Sequence, residues 1–356
     1  MIKERIKRMG HYKPPLEGRA DKDYLLLDFN ERTVPVSPKV KEALKKFIDS
    51  ERLQVYPEYG DLEAKIAQYA KVPPAQAMVT NGGDQGIDIV CRAYLDQGNK
   101  IIIPFPSFAM HYQSAGVQGA EILEPRYGEN GEFPLEEILK LLESKRVKLI
   151  ILCNPNNPMG SAIPIENVEK ILEKAKEKDV AVLHDEAYFE FSKITAKDLI
   201  EKYDNLYIMR TFAKAFGLVA TRAGYILSQE DNIQELKKIR GPYDVNMFAK
   251  TAILAALEDK KYMEDYVKGV MEESKPKLEK FLRERGVFFY PSAANFLLLK
   301  IPNSQEIIEG LKSKGILVRP KPAPDGQRAV RVSIGTLGDT KTLIGALGEI
   351  LDKSFK

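Results

Sequence analysis

Cysteine is nearly absent: Cys91 and Cys153 are the only two in 356 residues, each in an apolar setting. That argues against a disulfide framework or a structural zinc site and fits a reducing cytoplasm. Histidine is also scarce, and His11, His111 and His184 are not spaced as a ligand set, so no metal site is expected. Neither charge sign dominates: 54 Lys and Arg stand against 51 Asp and Glu, interspersed as in "EKILEKAKEKD". Such faces are solvated helix surfaces and leave no nucleic-acid footprint. The N-terminus lacks a continuous apolar stretch, and no later run is long enough to span a bilayer, so an unexported chain with no membrane partner is expected. Fixed-period repeats and low-complexity tracts are missing as well. So are the G-x-G-x-x-G and G-x-x-x-x-G-K-[ST] signatures, which removes the usual dinucleotide and P-loop readings.

What the chain does have is alternation. Apolar, β-branched segments recur at 77–80, 100–104, 120–125, 147–155, 180–188, 205–212 and 223–228, with helical stretches over 84–95, 134–144 and 165–178 between several of them. Strands alternating with helices predict an α/β fold with a mostly parallel, doubly covered sheet. Before them, residues 1 to about 25 read as an arm or loop, "DYLLLDFN" as a short strand, and Ser37-Pro38 and Asp61 as helix starts. From Gln229 to Arg285 the pattern is helical, with a long helix after Pro242. An α+β tail follows, with strands at "ANFLLLKI", "ILVRP" and "AVRVSIG". The expected division is an N-terminal arm and start of a small domain over 1–35, a large domain over 36–245 and a small C-terminal domain over 246–356.

Ligands of parallel α/β sheets bind beyond the carboxyl ends of the strands. Those ends carry Asn81-Gly82-Gly83-Asp84, Pro104 to Phe108, Asn154 to Gly160, Asp185 to Tyr188 and Thr211 to Lys214. In "NGGDQG" two glycines open a helix, whose free N–H groups suit an anion. Asn157 precedes Asp185 by 28 residues (185 − 157), and Asp185 precedes Lys214 by 29 (214 − 185), each at its own strand end.

This order, with Tyr188 and Arg222, resembles the fold-type I aminotransferases of class I/II, which use pyridoxal 5′-phosphate. The resemblance runs from about Asn30 to Thr336. It is most similar to the histidinol-phosphate aminotransferase branch, through "VYPEYGDLEAKIA", "NGGDQ", "PFPSFAMHY", "CNPNNPMG", "DEAYFEF", "TFAKAFGLVATRAGY", "SAANFLLL", "ILVRP" and "VRVSIGT". It implies a homodimer with a mostly parallel central sheet and a smaller α+β C-terminal domain. It also implies a small-molecule amino donor and a 2-oxo acid acceptor.

Carried over residue by residue, the resemblance makes Lys214 the covalent anchor of the cofactor and the proton carrier, which needs a lowered pKa. Asp185 would sit beside the pyridine nitrogen, Tyr188 and Asn157 beside the ring oxygen, and Phe108 against the ring face. Arg222, Thr211 and the backbone at Gly83 and Asp84 would hold the cofactor's phosphate, with Tyr56 reaching the phosphate of the neighbouring subunit. Arg331 would grip an α-carboxylate through its forked donors, Asn30 would line that pocket, and Arg319 would help to bind a phosphate or second carboxylate.

Ordinary roles compete with these. Lys214 alone reads as a surface lysine, Asn157 as a turn residue before Pro158, and Tyr188, Phe108 and Tyr56 as core aromatics. Arg331 alternates with Val330 and Val332 and could face water. Three departures bear on affinity and substrate: Ala213 stands where a Ser is usual, "NERT" replaces Asn-Glu-Asn-Pro, and Phe108 replaces a Tyr. The expected reaction moves an amino group from L-histidinol phosphate to 2-oxoglutarate through pyridoxamine phosphate. An aromatic or broad-specificity aminotransferase, or an enzyme like threonine-phosphate decarboxylase, is the alternative. A non-catalytic regulator is disfavoured by the joint presence of Lys214, Asp185, Tyr188 and Arg222.

Overall fold

The computed structural model describes residues 1–19 and 22–354. Before the main sheet lies one short strand, β1 (Leu25–Leu26). The main sheet is built from β2 (Ala77–Thr80), β3 (Lys100–Ile102), β4 (Glu121–Leu123), β5 (Val147–Cys153), β6 (Ala181–Asp185), β7 (Leu206–Thr211) and β8 (Gly224–Leu227). Their spatial order is β2-β8-β7-β6-β5-β3-β4. β4, β3, β5, β6 and β7 run parallel, and β8 is antiparallel to both its neighbours.

The apolar runs are nearly continuous because both faces are covered. Ile150, Val182 and Ile208 face one hydrophobic cluster, while Leu149, Ile151, Leu183 and Met209 face the other. The sheet therefore presents its chemistry only at an edge. Thr80, Cys153, Asp185 and Thr211 end their strands there, and antiparallel β8 begins there: Gly224 pairs with both Thr80 and Thr211. That direction reversal delivers Arg222, two residues before β8, to the edge that carries Lys214.

A second sheet follows from β9 (Phe288–Phe289), β10 (Phe296–Lys300), β12 (Arg319–Pro322) and β13 (Arg328–Ser333), in the order β12-β13-β10-β9. The segment expected as one strand at "ILVRP" is divided. Its first half, β11 (Ile316–Leu317), pairs in parallel with β1, and β12 turns away to pair with β13. Pro320 and Pro322 confine β12 to the edge, since proline cannot donate to a second neighbour.

Other sequence expectations shift slightly. The arm contains a five-residue helix, Glu4–Arg8, docked where Nε of Arg5 donates to the Val117 carbonyl at 2.8 Å. Asp61 precedes the helix Leu62–Ala70 but makes no capping hydrogen bond, whereas Ser37 does cap its helix. The long helix after Pro242 is Met247–Glu258, then Lys260–Lys268, a π-turn over Gly269–Ser274 and Lys275–Glu284. Among the described residues, no helix is long and apolar enough to cross a membrane. Cys91 and Cys153 are buried and unpaired.

Candidate active site

One cavity of about 410 Å³ lies at the carboxyl edge of the main sheet, walled on its other side by β12 and β13. Every residue to which the resemblance gives a role lines it except Tyr56. Tyr56 is 73% exposed and packs its ring against Tyr243 at 4.5 Å, away from the cavity.

Lys214 follows the end of β7, and its Nζ donates to the Phe29 carbonyl at 3.0 Å. Burial, and then the nearby Arg331 guanidinium, bring its ammonium down to about 8. Asp185 ends β6 with only 1% exposure. Its Oδ1 accepts from the Ala187 N–H at 3.0 Å, and its Oδ2 lies 2.9 Å from Nε2 of His111, whose Nδ1 is 2.9 Å from Oγ of Ser107. His111 thus backs Asp185 from behind the cavity wall, a role that sequence reading passed over, having tested histidines only as metal ligands. The neighbouring Glu186 turns the opposite way, into the protein. Burial alone would raise its carboxyl, but Arg210 and His184 hold it at about 2.

Tyr188 is held from two sides. Its oxygen accepts from Nδ2 of Asn30 at 2.9 Å and from Nδ2 of Asn157 at 3.1 Å. A phenol oxygen has two acceptor positions, so both are used and its own proton is left to donate into the cavity. Asn30 adopts a left-handed backbone, φ 55°, fixed by bonds that join its main chain to Ser333 and Asn295. Asn157 in turn accepts from Nη1 of Arg331 at 2.6 Å, and Nη2 of Arg331 donates to the Asp28 carbonyl at 2.7 Å. Arg331 therefore faces inward, 4% exposed, and the solvent-facing alternative is wrong. Strand alternation gave its face relative to Val330 and Val332 but could not say that both faces of β13 are covered.

The opposite end is shaped for an anion. The helix Gly82–Tyr94 starts without a side-chain cap from Asn81, so its first-turn N–H groups point outward without an intrahelical partner. A Cβ on Gly82 would stand 2.7 Å from Nη2 of Arg222, and one on Gly224 would stand 2.6 Å from the Gly82 carbonyl carbon. Glycine at both positions keeps this cradle open. Nη2 of Arg222 donates to Oδ2 of Asp84 at 2.8 Å, and both side chains stay about two-fifths exposed at the cavity. The Thr211 hydroxyl is already engaged: it accepts from the Ala213 N–H at 3.1 Å and donates to the Ala223 carbonyl at 3.2 Å.

The family model for aminotransferase class I and II matches residues 22–347. The chain belongs to the aminotransferase class I and II family. It is an aminotransferase whose cofactor is pyridoxal 5′-phosphate. A histidinol-phosphate aminotransferase of Thermoanaerobacter sp. (strain X514) is 31% identical over 354 residues, 99% of each chain. One of Geobacillus sp. (strain WCH70) is 35% identical over 341 residues, 92% of this chain and 90% of its own. The crystal structure of the Sinorhizobium meliloti histidinol-phosphate aminotransferase, in complex with pyridoxal-5′-phosphate, superposes with a TM-score of 0.90 at 24% identity. It covers 99% of this chain and 98% of its own. The residues present here fit the cofactor of the class I and II aminotransferases. An uncapped helix start beside Arg222 suits its phosphate, a buried carboxylate suits its ring nitrogen, and a lysine of lowered pKa suits its carbonyl.

Tyr12 and Lys321 are polar lining residues that had no signal in sequence. Tyr12 comes from the arm, and Lys321 stands between Pro320 and Pro322 on β12. Among the described residues, no group of His, Cys, Asp and Glu is arranged to hold a metal.

Proposed function

We propose that the protein transfers the amino group of L-histidinol phosphate to 2-oxoglutarate, giving imidazole acetol phosphate and glutamate. The observation that carries this reading is the hydrogen-bonded run Arg331–Asn157–Tyr188–Asn30 set in one cavity with Lys214. It ties an anion-binding fork to a phenol whose proton is free and to an amine that is readily deprotonated. The full-length similarity to histidinol-phosphate aminotransferases supports the choice of donor.

In this reading Arg222 and the N–H groups of Gly83 and Asp84 hold the cofactor's phosphate, and Asp185 keeps a proton at the ring nitrogen. Tyr188 and Asn157 donate to the ring oxygen, and Phe108 covers a ring face. Bound there, pyridoxal 5′-phosphate supplies a carbonyl that accepts the substrate's amine and a ring that takes up negative charge from Cα. Lys214 anchors it and afterwards carries the proton to and from Cα, which a neutral amine near pH 8 can do. Arg331 orients the substrate through its anion, with Asn30 shaping that side and Arg319 adding a second cation. Thr211 contributes by fixing the loop before Lys214, because its single proton already serves Ala223.

We also propose a cytoplasmic homodimer in which Tyr56 serves the partner's cofactor phosphate. Its exposed ring, packed with Tyr243 outside its own cavity, supports this. The division into an arm (1–35), a large domain (36–245) and a small domain (246–356) belongs to the same proposal. A half-reaction panel tests the function: holoenzyme is mixed with histidinol phosphate, phenylalanine, tyrosine, aspartate, glutamate or threonine phosphate, and cofactor absorbance is followed. Histidinol phosphate and glutamate should respond most strongly. No response to histidinol phosphate would reject the donor.

A further inference from the structure

Three cations share one face of the second sheet. Arg319 pairs directly with Arg331 across β12 and β13, and Lys321 lies two residues along from Arg319 on the same side of its strand. All three line the cavity that holds Lys214. Like charges directly opposite on a sheet repel, and buried cations need partners.

The partners on hand are already committed. Asp28, whose charge acts on Arg331, and Glu31, which lines the cavity, are both bound by Arg19, and Arg331 reaches only the backbone carbonyl of Asp28. Nε of Arg331 and Nη1 of Arg319 are buried without a hydrogen-bond partner, although the Arg319 guanidinium lies 4.7 Å over the Phe29 ring. Among the described residues, the side-chain ammonium of Lys321 makes neither a hydrogen bond nor an ion pair, and the charges that act on it are those of Arg331 and Arg319. Burial and the two arginines together bring its ammonium down to about 7. The face carries more positive charge than the protein itself neutralises.

The two substrates of the proposed reaction place different anions on this face. An amino acid such as glutamate has its carboxylate directly on Cα, one negative charge suited to the fork of Arg331. A phosphate monoester of an amino alcohol sets phosphorus two bonds further out, beyond a CH2–O link, and carries about two charges near neutral pH. A third cation about 6.6 Å further along the strand fits that longer, doubly charged group.

Resting on the reading that the donor is a phosphorylated amino alcohol, we propose that Lys321 is a specificity-determining residue. It binds the outer oxygens of the phosphate monoester, while Arg331 serves both phosphate and carboxylate.

The test uses holoenzyme of the wild type, Lys321→Gln and Lys321→Arg. Single-turnover half-reactions are measured with histidinol phosphate, with histidinol (the same amine without its phosphate) and with glutamate. Losing one charge-assisted contact should lower the kcat/KM ratio of histidinol phosphate to histidinol about 10- to 100-fold in Lys321→Gln. The ratio of histidinol phosphate to glutamate should also fall, and Lys321→Arg should restore both to within about threefold. A Lys321→Gln enzyme that keeps these ratios within about threefold overturns the proposal. Should wild-type enzyme not react with histidinol phosphate at all, inhibition of the glutamate half-reaction by inorganic phosphate decides. Inhibition weakened in Lys321→Gln and regained in Lys321→Arg upholds the role of Lys321 while rejecting the donor. Equal inhibition of all three enzymes overturns it.

Discussion

Replacing Arg331 by lysine isolates the contribution of the fork, because the charge is kept. In the wild type Nη1 serves Asn157 and Nη2 serves the Asp28 carbonyl, at 2.6 and 2.7 Å, which holds the guanidinium plane still for an incoming carboxylate. A single ammonium cannot satisfy both and also meet a carboxylate with two parallel donors. Losing one charge-assisted hydrogen bond to the substrate costs about 1.5–3 kcal/mol, so the apparent Kd for glutamate in the half-reaction should rise about 10- to 150-fold. One orphaned oxygen in this buried setting should lower unfolding stability by about 1–3 kcal/mol. Lys214 still faces a cation, so its midpoint near pH 8 should move little. Stopped-flow absorbance gives the first quantity and denaturant unfolding the second. A glutamate Kd within about threefold of wild type, in a protein that folds, would refute the assignment of Arg331 as the carboxylate's partner.

Capture of added pyridoxal phosphate by the apo-protein should accelerate with pH through about 8 and then level off. The neutral amine of Lys214 is the nucleophile, and its fraction rises as pH passes the lowered pKa. Arg331→Gln removes a cation that favours the neutral form and should move that midpoint upward, and a midpoint left near the ordinary lysine value in wild type would reject the argument. Ala213→Ser restores a hydroxyl beside the cavity. Equilibrium titration should show cofactor bound about 2- to 10-fold tighter, the worth of one hydrogen bond, and unchanged affinity would mean that position 213 does not face the phosphate.

Much of this site was legible because a parallel sheet exposes chemistry only where its strands end. Asp185, Thr211 and Lys214 each follow an apolar run that no solvated segment would carry, and Arg222 follows from the short return into β8. What was not legible depends on pairing between distant segments. Local alternation leaves Arg331 free to face water until β13 is seen covered on both sides, and nothing local marks Lys321 before β12 is turned toward the cavity. The division of "ILVRP" was hidden for the same reason. Its first half finds β1, nearly three hundred residues earlier (316 − 25 = 291), and no local pattern announces that partner.

The position of His111 links two features that looked separate in sequence. Phe108 stands at the head of the helix Ala109–Gln118 and His111 lies three residues on, within its first turn, with the two rings edge to face at 5.7 Å. Phe108 lines the cavity, while His111 is fully buried behind it, fastened to Asp185 on one side and to Ser107 on the other. The helix start therefore fixes the ring that covers a ligand and the carboxylate that meets its edge as one rigid unit. Each oxygen of Asp185 has one partner, Ala187 or His111, so a lone pair remains for a ring nitrogen while rotation about the carboxylate is blocked. A tyrosine in place of Phe108 would add a hydroxyl at the cavity wall without touching that clamp. The Phe108 departure thus bears on what the cavity accepts rather than on how Asp185 is held.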